Sequence, residues 1–588
     1  MTVLTGSHVS GGAPGWLGWA REHLGAVLAV LLTVWLVIVP LATLIIFSFR
    51  LGNPWEPGGF TLEHYASAYS DPQTYSMFFN TALLAVFSTA ISVGLATFFA
   101  FLTERTDMPF RNVAWGLILV PMAMPGLLFA VSWTFLLSPQ IGLFNVWMRG
   151  VAGWFGVELT SGPLNIYSLW GMVLLEGLRG VTTTFLIMVG AFRAMDPSLE
   201  EAARVAGASG RRTFFGIFLP LLTPAILGAT MYSFMTHLES LEVPLVIGLP
   251  ARIHVFPTYI FYTTQRYTPP EYGLSAALGA SFLLVSILLV YAYRYAMRQE
   301  GRFATITGKG YRPRVMPLGK WRYVAFAVFF VYFALTILAP SFVLLWSSLL
   351  PVYITPSLEL LSDLNLEHYR EIFSDSEVWD ATVNTIVVAL GAATLTMLLS
   401  LVVAWVILRK RFRGRTVLDA VTFLPHALPG VIIAIAFMFL YLQPPFNGLR
   451  LYGTVWIIVL GLTVSYIAFG SRNMTAALTQ VHVELEEASH VSGGKWLTLM
   501  RRIVLPLVLP AFIGGWIWVA SHSLRNFSVP LILATSENWT LSVVMWRSWE
   551  DGYPGQTSAL GVLLIVALAI LTVGGRWLVA RMSRRQES

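Results

Sequence analysis

"LEEAARVAGASGRRTFFGIFLP" runs from Leu199 to Pro220, and "LEEASHVSGGKWLTLMRRIVLP" runs from Leu485 to Pro506, 286 residues further on. The two share more than a beginning and an end. In the first, Glu200 precedes Glu201-Ala202-Ala203, Gly207 follows, and after nine residues comes Ile217-x-Leu219-Pro220. In the second, Glu486 precedes Glu487-Ala488-Ser489, then come Gly493, nine residues, and Ile503-x-Leu505-Pro506. Each spacing predicts a short helix. Ahead of the first copy, Asp196 or Ser198 can cap, Pro197 suits the first turn, and the acids favour the positive helix end. A small Ala/Ser face admits another surface closely. The glycine permits a bend out of the helix, and the proline near the start of the next helix costs little because its N–H is not needed there.

These charged segments sit in an oily chain. Of 588 residues, 56% are hydrophobic and only 11% charged, against about a quarter in soluble domains. Mean hydropathy is +0.70. The expectation is a polytopic membrane protein in a lipid bilayer, whose net charge of +7 reflects basic loops on one face rather than nucleic-acid binding. The absence of cysteine excludes disulfides, thiolate metal sites and cysteine nucleophiles. The first 24 residues lack the pattern of a cleaved signal peptide.

A spanning helix needs about 20 mostly apolar residues. Twelve are expected, near 25–49, 79–103, 113–137, 166–192, 217–238, 274–297, 321–349, 383–408, 418–442, 453–476, 504–522 and 556–580. The polar, Gly- and Pro-containing stretch 298–320 reads as a linker between a first half, 25–297, and a second half, 321–580. Residues 1–24 and 581–588 are expected to be tails. Arginine and lysine crowd 293–320, the "LRKRFRGR" run from Leu408 to Arg415, and the C-terminal segment. Acids dominate 350–382. With twelve spans the basic regions fall on one side, which predicts that both termini, the linker and the two opening segments are cytoplasmic.

The chain is also a duplication. "LEHY" occurs at Leu62 and Leu366, Asn80-Thr81 matches Asn384-Thr385, and "PMAMPG" from Pro121 matches "PHALPG" from Pro425, all 304 residues apart. The offset then drops to 286 and holds through the opening segments to "VPL" at Val243 and Val529. The expected fold is therefore all-α: two tandem six-helix units related by a pseudo-twofold axis along the membrane normal, with a pathway at the repeat interface.

The repeated segments resemble the EAA motif of ABC-importer permeases, E-A-A-x(3)-G-x(9)-I-x-L-P. Ser489, in place of the second alanine, is the one departure, and it keeps the face small. The fused halves are most similar to iron(III)-type permeases, and thiamine-type permeases are fused alike. The resemblance implies that each segment is a coupling helix seated in an ATPase subunit. It implies two copies of a cytoplasmic ATPase, which use ATP and Mg, and an extracytoplasmic substrate-binding protein, in a bacterial or archaeal inner membrane. The chain itself lacks a G-x(4)-G-K-[ST] phosphate loop, so it is expected to bind no cofactor and to be no enzyme.

Ionisable residues inside spans mark candidate pathways. Glu176 and Arg179 lie in span 4, three apart, so pairing along one helix face competes with a pathway role. "THLESLEVP" offers His237, Glu239 and Glu242 near the outer end of span 5; the matching "SHSLRNFSVP" offers His522 and Arg525. Glu239 and Arg525 are repeat-equivalent and could face each other as an outer salt bridge, or sit idle in an external loop. His426 stands where the first half has Met122, and a local hydrogen bond is its plainer role. Pro121, Pro125, Pro425 and Pro429 are expected to kink or break the third span of each half. No metal site is expected. Ferric iron would want carboxylate or phenolate oxygens and a phosphonate or phosphorylated solute would want arginine; both are present, and thiamine and polyamine stay open. An ion-driven secondary transporter is the main rival but leaves the paired segments unexplained. A membrane enzyme lacks any nucleophile or metal-ligand spacing.

Overall fold

The structure, a computed structural model, describes residues 24–194, 205–207, 212, 215–216, 219–297, 316–357, 359–410, 414–492 and 496–587. Ten of its helices are long and apolar enough to cross a membrane. They are span 1 (Leu24–Phe47), span 2 (Pro72–Arg105), span 4 (Leu169–Ala194), span 5 (Leu219–Leu238), span 6 (Tyr272–Met297), span 7 (Trp321–Ser348), span 8 (Ser376–Arg409), span 10 (Val455–Leu478), span 11 (Trp496–Leu524) and span 12 (Pro554–Glu587). The remaining two are broken. Span 3 is Arg111–Ala123 plus Gly126–Leu137, bent by 100°, and span 9 is Arg415–Ala427 plus Gly430–Leu442, bent by 110°. Each break falls between the expected prolines, whose missing N–H groups interrupt the helical ladder. Span 3 still runs the length of the bundle. Its first piece packs on the start of span 7 and its second on the end of it, where Tyr353 donates to the Phe135 carbonyl at 2.8 Å.

Several boundaries differ from expectation, among them the start of span 11, at Trp496 rather than near 504. Spans 2 and 8 are each 34 residues long, because a polar first turn capped by Asp71 or Asp375 extends the apolar helix. The last helix continues through residue 587, so 581–587 are helix rather than a tail. A small hairpin, Arg50–Asn53 with Glu56–Phe60, is the one sheet among the described residues.

The duplication is visible bond by bond. His64 bonds the Arg50 carbonyl at 2.9 Å, and His368 bonds the Leu350 carbonyl at 3.0 Å. Thr81 accepts from the Phe256 N–H, and Thr385 from the Leu541 N–H, both at 2.8 Å. Asn80 and Asn384 donate to the His254 and Trp539 carbonyls. Two like-oriented halves with equivalent internal bonds give the pseudo-twofold axis.

Lipid offers no hydrophobic drive to bring helices together, so close packing and interhelical hydrogen bonds must do it. Spans 2 and 4 illustrate how. Ser88 and Ser92 donate to the Val173 and Gly177 carbonyls at 3.1 and 2.7 Å. A Cβ on Gly180 would lie 2.4 Å from the Ser92 Oγ. At the end of the bundle that carries the basic loops, the last linker residues pair back on the first half. The Met316 N–H donates to the Arg105 carbonyl at 2.8 Å, and the Asp107 N–H donates to the Met316 carbonyl at 3.1 Å. Residues 298–315 of the linker, and residues 1–23, lie outside the described residues.

Candidate functional site

A cavity of about 590 Å³ lies between the halves. Its walls come from the breaks of spans 3 and 9, from spans 4 and 10, and from the ends of spans 5 and 11. All eight polar residues singled out in the sequence line it: Glu176, Arg179, His237, Glu239, Glu242, His426, His522 and Arg525. The cavity sits deep. Arg179 is the eleventh residue of span 4, about 15 Å of helix from that span's acidic-side end. Glu242 meets Arg179 at that depth, so the segment after span 5 is not an external loop as one expectation had it. On the acidic side the cavity is roofed by buried residues 127–137, 244–248, 431–441 and 529–533. On the basic side it reaches Arg472, half-exposed and six residues from the end of span 10.

The first-half wall is an acidic cluster held by one cation. Arg179 bonds Glu176 at 3.2 Å and Glu242 at 2.6 Å. Ser240 donates to Glu176 at 2.5 Å. His237 is buried, 3.1 Å from the Ser92 Oγ and 3.6 Å from Glu176. The pairing of Glu176 with Arg179 along one helix face and their place on the cavity wall are thus both real. Glu239 forms no ion pair among the described residues, although Arg179 and Glu242 are its charged neighbours.

The second-half wall is cationic and aromatic. Phe469, Trp518 and His522 stack at 3.7 Å intervals. The His522 Nδ1 donates to the Trp518 carbonyl at 2.8 Å, which leaves Nε2 to accept from Arg525 at 2.6 Å. Arg525 also donates to the carbonyl of Met122, across the interface. The expected Glu239–Arg525 bridge is therefore absent. Pro125 has no N–H to offer the Met122 carbonyl at the break of span 3, and Arg525 supplies the donor instead. His426 forms no local hydrogen bond among the described residues; its ring stacks on Tyr232 of the other half at 5.9 Å.

At the basic end, the second repeated segment is a helix, Val483–Val491. Leu485, Glu487, Ala488 and Val491 are exposed on it, with Ser489 half-buried. Glu486 was expected on the same docking face and is not there. It is 5% exposed and turned inward onto Arg409 at 2.7 Å and the Trp405 indole N–H at 2.9 Å. Gly207, with φ +74°, makes the bend foreseen in the first copy. Leu219-Pro220 and Leu505-Pro506 open the regular helices of spans 5 and 11. Ahead of Pro506 the backbone widens into a π turn, Met500–Val504, which absorbs the missing donor. Glu200, Glu201, Ala202, Ala203 and Gly493 lie outside the described residues.

Residues 92–300 and 396–588, more than half of the chain, match the family described as the inner membrane component of binding-protein-dependent transport systems. The chain belongs to this family of ABC-importer permeases. It carries the family's domain twice, in the fused form. The permease is 26% identical over 563 residues to the ferric transport system permease protein FbpB of Actinobacillus pleuropneumoniae, covering 95% of this chain and 78% of that one. It is 28% identical over 379 residues to a putative ferric transport system permease of Haemophilus influenzae, covering 63% of this chain and 57% of that one. A sulfate transport system permease protein, CysT of Salmonella typhimurium, is 29% identical over 222 residues, covering 36% of this chain and 80% of that one. These relatives are transport subunits.

Sequence reasoning passed over several wall residues of the permease: Tyr232, Ser240, Tyr466, Phe469, Arg472 and Trp518. A signal for two of them was present. Tyr232 and Trp518 are repeat-equivalent and lie seven residues before Glu239 and Arg525, two helical turns away. Arg105 and Arg409, which end spans 2 and 8 at the 304-residue offset, were equally visible.

Proposed function

We propose that the permease carries iron(III) inward through the cavity between its halves. An extracytoplasmic binding protein delivers the ion, and two ATPase subunits, seated on the two repeated segments, drive the cycle. The observation that carries this reading is the cavity wall. Glu239 and Glu242 bring carboxylates, and Tyr232 and Tyr466 bring phenolic oxygens, the hard donors that iron(III) prefers. Ferric permeases among the relatives support it. Among the described residues no cluster of three or more His, Cys, Asp or Glu is placed to hold a metal.

We place the basic end of the bundle, with both termini, in the cytoplasm, the side that an excess of arginine and lysine favours. The cavity, roofed on the acidic side, then opens inward. ATP and Mg are used on the partner subunits. ATP-driven closure of the ATPases draws the segments together and opens the roof, and hydrolysis reverses the motion by rigid-body switching.

The experiment uses the purified permease with its ATPase in lipid nanodiscs. Iron(III)-loaded binding protein is expected to stimulate ATP hydrolysis several-fold over the unloaded protein, while sulfate-, spermidine- and thiamine-loaded binding proteins do not. Stimulation by an anion-loaded binding protein instead overturns the iron assignment. Arg179 and Arg525 favour that second reading. Glu239→Gln separates the two: iron uptake into sealed vesicles is expected to fall, whereas anion uptake would hold or rise.

A further inference from the structure

The inward turn of Glu486 joins parts of the molecule that the coupling motion must move together. Arg409 is the last residue of span 8. Its Nε meets Glu486 Oε1 at 2.7 Å, and its Nη2 donates to the carbonyls of Leu478 and Val481 at 3.2 and 2.7 Å. Leu478 ends span 10, so its carbonyl is among those that a helix end leaves without an intrahelical partner, and Val481 lies in the turn that leads from it to the segment helix. One guanidinium therefore ties the end of span 8, the end of span 10 and the segment helix 483–491. Trp405, one turn back on span 8, holds the second Glu486 oxygen through its indole N–H at 2.9 Å. Its ring packs edge-on against Trp496, where span 11 begins.

Arg409 and Glu486 are 13% and 7% exposed at their side chains. A buried pair of this kind is poor evidence of stability, since desolvation offsets much of the attraction. What it fixes is geometry: four bonds converge on one guanidinium and one carboxylate, and the partners come from separate elements. The first half repeats the backbone part of this arrangement. Arg105, 304 residues before Arg409, donates to the Phe192 carbonyl at 2.7 Å, and Phe192 lies 286 residues before Leu478.

We propose that Glu486, Arg409 and Trp405 form the joint through which movement of the second segment helix is transmitted to spans 8 and 10. They are positioning residues and not part of the surface that docks the ATPase. The exposed neighbours Glu487 and Ala488 meet the partner; Glu486 turns the helix into a lever rigidly fixed to the bundle.

The chain has no cysteine, which makes paired spin labels straightforward. Cysteines replacing Val205 and Val491, 90% and 89% exposed at repeat-equivalent places, report the separation of the two segments. Cysteines replacing Tyr75 and Trp379, exposed and also repeat-equivalent near the acidic-side ends of spans 2 and 8, report whether the spans follow. Distances are measured in the permease–ATPase complex in nanodiscs, without nucleotide and trapped with ATP and vanadate. With Glu486 intact, both distances are expected to change on trapping. In E486Q the 205–491 distance is expected to change as before, with the ATPase still bound, while most of the change at 75–379 is lost. Trp405→Phe keeps the ring and removes only the N–H, and is expected to give a partial loss.

The retained segment response is the internal control for folding. A full response at both pairs in E486Q overturns the proposal. So does loss of the 205–491 response, or of ATPase co-purification, because Glu486 would then belong to the docking contact. No cargo is needed, so the outcome is independent of the iron assignment.

Discussion

The two halves of the permease agree where they build the scaffold and disagree where they face the cavity. His64 and His368, Thr81 and Thr385, and Arg105 and Arg409 make equivalent bonds. On the cavity wall, Arg179 is matched by Ser465, Gly180 by Tyr466, Thr236 by His522, Glu239 by Arg525 and Met122 by His426. After duplication, the positions that hold helices to one another retained their bonding and the wall diverged into an acidic side and a cationic, aromatic side. A pseudo-twofold bundle thus encloses a pathway with no twofold symmetry of charge.

Exchanging residues between equivalent positions tests this division. The largest effect is expected for Arg179→Ser, which installs the second-half residue in the first. It strands Glu242 deep in the bundle and leaves Glu176 with only Ser240 and His237 beside it. Breaking a buried pair costs about 3–5 kcal/mol, and the exposed third of Arg179 reduces that to roughly 2–3 kcal/mol. A large drop in the unfolding temperature of the purified permease and loss of uptake are expected; an unchanged unfolding temperature would mean that the acidic wall needs no counter-ion.

Arg525→Gln comes next. It weakens the one bond described here from a cavity cation to the carbonyl across the interface. A hydrogen bond to a charged group is worth about 1.5–3 kcal/mol. If the cavity opens inward as proposed, that state should lose up to about that much relative to the outward one, raising ATP hydrolysis without binding protein by roughly tenfold or more. Basal hydrolysis at the parental rate would remove Arg525 from the switching machinery.

Gly180→Ala is expected to cost about 1–3 kcal/mol by overpacking, since its Cβ would meet Ser92 at 2.4 Å and His237 at 2.9 Å. At the equivalent site the second half already carries Tyr466, so Tyr466→Phe, which keeps the ring against Trp518 and His522, should bring no such clash and lose only about 1 kcal/mol from its bonds to Asn526 and His522. Equal thermal shifts for the two variants would contradict the divergence. The smallest effects are expected for the scaffold: His64→Ala and His368→Ala should each lower stability by about 1 kcal/mol, the exposed contact of His368 with Glu371 at 3.4 Å adding little. A clear difference between them would show that the scaffold has diverged too.

Much of this was legible in one dimension. Twelve apolar segments, two offsets and four prolines gave the spans, the duplication and the two breaks, because lipid forces each span to declare itself locally. The eight polar wall residues were legible for the same reason: a charge within a span stands out against its surroundings. Their pairing was not. Whether Arg525 meets Glu239 or the Met122 carbonyl depends on how far the span 3 break swings inward, and no spacing within the chain encodes that. Glu486 looked like part of a docking face because it sits beside Glu487 in the motif. On a helix, adjacent residues point about 100° apart, so neighbours in sequence can serve opposite surfaces.

Met316, bonded back to Arg105 and Asp107, joins the second half to the basic end of the first. As separate chains, two copies of the first half could associate, placing Glu239 opposite Glu239 and doubling the acidic wall; two copies of the second would double the cationic one. Within a single chain each assembled permease contains one wall of either kind, in fixed proportion. The covalent connection thus acts as a stoichiometric control: it settles, at synthesis, a choice of partner that the equivalent scaffold bonds of the two halves would leave open.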